Sequence, residues 1–156
     1  TIFNQVNELP IWISKWLRSS FLNRKKNKKI SKFYIDRSET LNKHCQIINN
    51  EDIKDFLKSK GFKSIKVGSL SFEDQIGLFN SAKIIIGPHG AAFTNLIFCK
   101  KGTKIIEIKP KDRPNNYKYI SKLHNLKYKQ IITPKVKNVN EKGDMYLSIK
   151  SLSKYV

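Results

Sequence analysis

Cysteine, arginine, methionine and acidic residues are all scarce in this chain of 156 residues. Cys45 and Cys99 are too few to staple a disulfide scaffold, and no Cys-x-x-Cys or Cys/His spacing is present to hold a structural zinc ion. No apolar run approaches the ~18–20 residues that cross a bilayer as a helix, the longest clear one surrounding Ile84-Ile85-Ile86. No signal-peptide pattern opens the chain. Gly-x-Gly-x-x-Gly and Walker A patterns are missing, which argues against an NAD-type dehydrogenase. Met145 is the single methionine; with Thr1 in front, the expectation is a piece cut from a longer protein whose preceding part holds half of an active site.

What is abundant is lysine. The formal net charge is +19, and of 31 basic residues 27 are Lys; the four arginines are Arg18, Arg24, Arg37 and Arg113. Lys, Ile and Asn together match an AT-rich coding bias that drives surface positions to Lys. Nucleic-acid readers lean on Arg for bidentate contacts, so a nucleic-acid partner is not expected. The lysines are spread out except for one block, Arg24-Lys25-Lys26-Asn27-Lys28-Lys29. That block reads either as a solvated basic surface or as a polyanion or anionic-membrane contact, and both readings stand. None of the 14 asparagines lies in Asn-x-Ser/Thr, which favours a bacterial-type enzyme in the cytoplasm or on the cytoplasmic face of a membrane. Apolar content of 39% and length suit one core, not a disordered tail.

Residues 10–23 place Ile13, Trp16, Leu17 and Phe21 at helical spacing behind Pro10, predicting an amphipathic helix with those residues inward. An exposed basic linker over 24–32 comes next, so 1–31 is set apart from a domain over 32–156. From Lys32 strands and helices alternate: strand Lys32–Ile35, helix Asn49–Lys60 stopped by Gly61, strand Ser64–Val67, and helix Ser71–Ala82 with Ser71 as cap. Strand Lys83–Ile86, helix Ala91–Cys99, strand Thr103–Ile108, helix Asn115–Asn125, strand Tyr128–Thr133 and a last helix near Ser148–Tyr155 complete the series. This alternation predicts an α/β fold, a Rossmann-like doubly wound parallel sheet. In such sheets ligands sit beyond the carboxyl ends of the strands, a rim that selects Asp36-Arg37, Gly68-Ser69, Gly87–Gly90 and Glu107–Pro110.

The informative stretch is Gly87-Pro88-His89-Gly90-Ala91-Ala92-Phe93-Thr94-Asn95, where a buried strand turns into a helix. Gly87 and Gly90 ease that turn and let a ligand approach the backbone. The helix start at Ala91 offers free N–H groups and a positive dipole end to a phosphate. His89 sits where it can donate to a phosphate oxygen or move a proton. A plain packing turn, with His89 as a helix cap, fits the same residues.

Residues 71–110 resemble the signature of the glycosyltransferase 61 family, whose bacterial members are often called capsular polysaccharide biosynthesis proteins. The matching elements are Ser71 to Gln75, Gly87 to Ala91, Thr94-Asn95 with Phe98, Gly102, and Glu107 at a strand end. Phe33-Tyr34-Ile35-Asp36-Arg37 and Ile47-Ile48-Asn49-Asn50-Glu51 extend the likeness upstream, so that it covers about residues 33–133. Asp36 stands where serine is usual, Lys43, His44 and Cys45 fall where further arginines are usual, and Lys101 replaces a proline. The resemblance implies the C-terminal, donor-binding half of a two-domain GT-B glycosyltransferase. Such an enzyme transfers a sugar, with inversion, from a nucleoside-diphosphate sugar to a glycan or polysaccharide acceptor, and needs its N-terminal half for the acceptor. It makes Arg37 and His89 the groups that meet the diphosphate, with the N–H groups of Gly90 and Ala91. Glu107 would take a ribose hydroxyl, and Gly87, Gln75, Thr94 and Asn95 would serve the donor site; a rim carboxylate paired with Lys109 or Lys104 fits Glu107 equally, and a helix cap or polar-pocket filler fits Gln75, Thr94 and Asn95. No Asp-x-Asp is present, so neither a metal nor another cofactor is expected to bridge the diphosphate. The competing reading is a non-catalytic basic Rossmann-like module that binds nucleotide, nucleic acid or anionic membrane.

Overall fold

The computed structural model describes residues 9–26, 29–39, 44–134, 136 and 143–156. Helix α1 (Ile11–Phe21) runs into a short 3₁₀ turn, Leu22–Arg24, and precedes strand β1 (Lys32–Ile35). Next come α2 (Asn50–Ser59), β2 (Lys63–Ile65), α3 (Phe72–Ser81) and β3 (Ile84–Pro88). A 3₁₀ helix (Ala91–Phe98), β4 (Lys104–Lys109), α4 (Asn116–Leu123), β5 (Lys127–Ile132) and α5 (Ile149–Ser153) complete the chain. The five strands form one sheet, all parallel, in the order β2-β1-β3-β4-β5. This is the doubly wound, Rossmann-like architecture that the alternation predicts.

Both faces are covered, and the period of two along each strand decides which residues go where. Phe33 and Ile35 of β1, Ile85 of β3 and Ile105 of β4 pack with α3, the 91–98 helix and Tyr117 and Ile120 of α4. Tyr34, Ile86, Ile106 and Ile108 point the other way, to Ile53 and Leu57 of α2, Met145 and Leu152. The winding reverses between β1 and β3, so the crevice at their carboxyl ends is the topological switch point of the sheet.

Local signals explain most boundaries. Ser71 caps α3 as expected, its oxygen accepting from the Asp74 N–H at 3.2 Å. Gly61 ends the turn after α2 at φ 79°, the left-handed value that glycine tolerates best. Asn49 precedes α2 without capping it; its side chain instead accepts from Leu147 N–H at 3.1 Å and donates to Leu147 O at 3.0 Å.

Three expectations need correction. The segment predicted as a helix over Ala91–Cys99 is a helix, but of the tighter 3₁₀ type. Its side chains favour the tight winding: Thr94 Oγ1 donates to Ala91 O at 2.8 Å and Asn95 Nδ2 to Ala92 O at 3.3 Å. Trp16, predicted inward, is 57% exposed, while Ser14 is fully buried. The reason is a polar contact across the fold: Ser14 Oγ meets His124 Nε2 at 2.5 Å and rotates the helix so that Ser14, Leu17 and Phe21 face the 91–98 layer. The basic stretch after α1 has exposed side chains, but its backbone is docked. Lys26 N–H donates to Glu73 O at 3.2 Å, and a Cβ on Gly77 would lie 1.8 Å from Lys26 O. Asn27 and Lys28 of that block, and Lys43, lie outside the described residues.

Candidate active site

The crevice at the switch point has a volume of about 800 Å³, within the range of small-molecule sites. Ile35, Asp36 and Arg37 enter from β1, Val67, Gly68 and Ser69 from beyond β2, Phe72 and Gln75 from α3, and Ala91, Ala92, Thr94 and Asn95 from the 3₁₀ helix. Of the residues expected at the donor site, Arg37, Gln75, Ala91, Thr94 and Asn95 line this crevice, whereas Gly87, His89, Gly90 and Glu107 do not. Gln75 and Asn95 are tied to each other, Asn95 Nδ2 donating to Gln75 Oε1 at 2.9 Å while Gln75 Nε2 donates to Leu70 O at 3.1 Å.

Arg37 is held by the turn after β3. Its Nη1 donates to His89 O at 3.0 Å, and its guanidinium lies so close to Gly90 that a Cβ there would sit 1.1 Å from Nη1. Gly90 is extended, with φ at 168°, so it is the proximity of the guanidinium and not the backbone angle that demands glycine. Gly87 has a similar reason: a Cβ would meet Ile35 Cβ at 2.7 Å across β1 and β3. Burial pulls the Arg37 guanidinium below its ordinary value, but a guanidinium stays charged at any working pH. The result is a partly desolvated cation beside the start of a helix, where the first N–H groups have no intrahelical acceptor.

Asp36, the departure from the usual serine, is 6% exposed and turned toward α2. It accepts from Ser38 N–H at 2.9 Å and from Asn50 Nδ2 at 3.3 Å, with Lys54 Nζ at 3.7 Å. Burial pushes its carboxyl upward, and those hydrogen bonds with the Lys54 charge outweigh it, so the carboxyl lies below the usual aspartate value. Asn50 also accepts from Tyr34 Oη at 2.7 Å, which ties β1 to the start of α2.

Behind the crevice wall lies a layer that sequence reasoning placed at the rim. Glu107 is fully buried; it does not reach the crevice. Its Oε1 meets His89 Nδ1 at 2.5 Å, and its Oε2 accepts from the Tyr128 hydroxyl. The residue is inward because β4 alternates: Ile105, Glu107 and Lys109 share the face that packs under the 91–98 helix and α4. Tyr128 accepts in turn from Gln130 Nε2 at 2.8 Å, which also donates to Asn115 Oδ1 at 2.9 Å; Lys109 Nζ reaches the same oxygen at 2.7 Å. Lys109 spends its other donors on Arg113 O and Pro114 O, each at 2.9 Å, and Lys104 on Tyr155 O at 2.6 Å, so neither is the partner of Glu107 by hydrogen bond. The His89 ring stacks obliquely on Tyr117 at 5.2 Å. Burial and then the Glu107 charge push Tyr117 up to about 12 and raise Tyr128, so both phenols keep their protons.

Tyr117, Tyr128 and Lys54, the last beside Asp36, were missed by sequence reasoning. Tyr128 and Gln130 had a signal: they are polar at alternate positions of a strand adjacent to the one that carries Glu107, in register Ile105 to Tyr128 and Glu107 to Gln130. Among the described residues no group of three or more His, Cys, Asp or Glu side chains is placed to hold a metal ion. Cys99 is buried and its thiol pushed far up by burial, and Cys45 is raised for the same cause, so neither is a poised nucleophile.

A parallel sheet covered by helices on both faces, with a crevice at its switch point that presents a partly desolvated arginine beside a helix start, defines an α/β domain of the Rossmann-like class. The family is shown by comparison with known proteins. The chain belongs to the glycosyltransferase 61 family, whose model matches residues 3–106, so α1 lies inside the matched segment as well. It is also similar to the EGF domain-specific O-linked N-acetylglucosamine transferase of Drosophila melanogaster, 27% identical over 90 residues. That match covers 56% of this chain and 17% of the fly protein.

Proposed function

We propose that this chain is the donor-binding part of a glycosyltransferase that passes a sugar, with inversion, from a nucleoside-diphosphate sugar to a glycan acceptor. The observation that carries the reading is Arg37, seated on Gly90 and hydrogen-bonded to His89 O at the mouth of the switch-point crevice. A guanidinium there grips a diphosphate with charge-assisted bonds and neutralises the charge that builds on it as the glycosidic bond breaks. The N–H groups of Gly90 and Ala91 add dipoles aimed at the same place. In this reading His89 acts from behind the wall, its carbonyl orienting Arg37 and its ring fixed by Glu107. Gln75, Thr94 and Asn95 line the space for the rest of the donor. Arginine and helix dipole supply the positive charge, so no metal is invoked. The acceptor site and the base that deprotonates the acceptor belong to a preceding domain of GT-B type, and the enzyme works in or on the cytoplasmic side of a bacterial-type cell.

The test is thermal stabilisation by UDP, GDP, CMP and their sugar conjugates at moderate and high salt. A rise selective for one nucleotide, persisting at high salt and lost in Arg37→Ala, is expected. Loss of a clamp with two charge-assisted bonds, each about 1.5–3 kcal/mol, weakens binding by more than tenfold. Equal, salt-sensitive shifts with every polyanion would overturn the donor reading in favour of a non-catalytic basic module.

A further inference from the structure

The outward face of α1 has no role in the donor site. Its inner side packs on the 91–98 layer through Leu17 and Phe21, and Arg18 donates to Ile97 O and Cys99 O. Its outer side shows Ile11, Trp12 and Trp16 at 51%, 67% and 57% exposure, with Lys15 exposed among them. Positions 11, 12, 15 and 16 form one stripe of the helix, with Trp12 and Trp16 one turn apart. Arg24 and Lys25 are exposed directly after the helix. From Leu9 to Ile35 the sequence has eight basic residues and no acid.

We infer that the outer face of α1 docks on an anionic phospholipid surface, with Trp12 and Trp16 at the headgroup level and Lys15, Arg24 and Lys25 against lipid phosphates and carboxylates. Charge complementarity selects this occupant. A stretch with cations alone around large apolar side chains pairs with a surface of uniform negative charge. Indole rings are amphipathic and settle at the boundary between headgroups and acyl chains, with lysines of the same helix in the polar layer. The helix needs no refolding to do so, since its other side is already anchored to the domain. The insertion is that of a helix lying in the interface; among the described residues no helix is long and apolar enough to cross a membrane.

The chain carries its own probe. It has two tryptophans, and both are on this face, so its emission reports on nothing else. Vesicles of phosphatidylcholine with about a third phosphatidylserine are expected to move the emission to shorter wavelength and shield it from acrylamide. Pure phosphatidylcholine should bind at least about tenfold more weakly, and so should the mixed vesicles at high salt. A Trp12→Ala/Trp16→Ala variant, with circular dichroism to show that it folds, should lose co-sedimentation with the mixed vesicles by about tenfold. Co-sedimentation that survives in that variant, or binding with no change in emission, would overturn the inference. So would an equal emission response to heparin or duplex DNA. A longer chain of the same protein whose tryptophans are already shielded without vesicles would show that protein covers the face, and would also overturn it.

Discussion

Replacing Glu107 by glutamine changes one atom of a buried cluster and thereby moves a proton on the His89 ring. In the native fold the Glu107 carboxylate can only accept, so the His89 nitrogen at 2.5 Å, Nδ1, carries a proton. The Tyr128 oxygen accepts from Gln130, so its own O–H is committed to Glu107. In Glu107→Gln the amide oxygen keeps the Tyr128 hydroxyl, because an amide nitrogen on that side would leave the phenol without an acceptor in the cluster. The amide NH₂ then faces Nδ1, which must give up its proton, and the imidazole switches to the Nε2–H tautomer. The energetic side combines two opposed effects. Two bonds to a charged acceptor, about 1.5–3 kcal/mol each, become neutral ones of about 1 kcal/mol. Against this, a fully buried carboxylate no longer has to be desolvated. The bond change alone is a loss of about 1–4 kcal/mol, and the relief of desolvation reduces it, so the net loss is at most about 2 kcal/mol, or at most about 4–8 °C in Tm for a domain of this size. The ¹⁵N shifts of the His89 ring read the tautomer, and urea unfolding reads the stability. Tyr128→Phe is the control: it removes one donor, costs about 1 kcal/mol and leaves the proton on Nδ1. An unchanged tautomer together with unchanged stability in Glu107→Gln would refute the account of Glu107 as the group that fixes His89.

Two more predictions rest on close contacts. In Gly90→Ala the new Cβ claims the place of the Arg37 guanidinium, so nucleotide affinity measured by calorimetry should fall at least about tenfold, toward that of Arg37→Ala, with the fold retained in circular dichroism. His124 is lowered to about 4, first by burial and then by the Arg18 charge, with the Ser14 hydroxyl on its Nε2. Its folded value lies below its ordinary 6.5, so stability is full above pH 6.5, falls as pH drops toward 4, and is flat below that as far as this group is concerned. At about 1.4 kcal/mol per unit the fall is at most about 3 kcal/mol, less what solvent screening removes. Urea unfolding between pH 7 and 4 should show this slope, and His124→Gln should flatten it.

The sequence by itself determined the parallel sheet, its helices on both faces and the rim on which the crevice lies. Those rest on short-range facts: β-branched runs such as Ile84-Ile85-Ile86, the Ser71 cap, the stop at Gly61, and a connection rule that leaves few topologies. It also picked out two candidates, the 87–95 turn because a glycine-bounded strand end that opens a helix has few uses, and Arg37 because it follows the carboxyl end of a strand. Tertiary structure alone decided which side each polar group faces. Glu107 was legible as a carboxylate at the end of β4, but only the packing of β4 under the 91–98 helix turns it inward to His89 and Tyr128. Gly90 was legible as permissive, yet its need for glycine comes from Arg37, which is 53 positions away in the chain and a bond length from the missing Cβ. Trp16 had the spacing of a core residue, and a hydrogen bond between Ser14 and His124, 110 positions apart, turned it to the outside. Periodicity and caps are properties of neighbours in sequence, whereas the facing of a side chain is settled by partners that only the folded chain brings near.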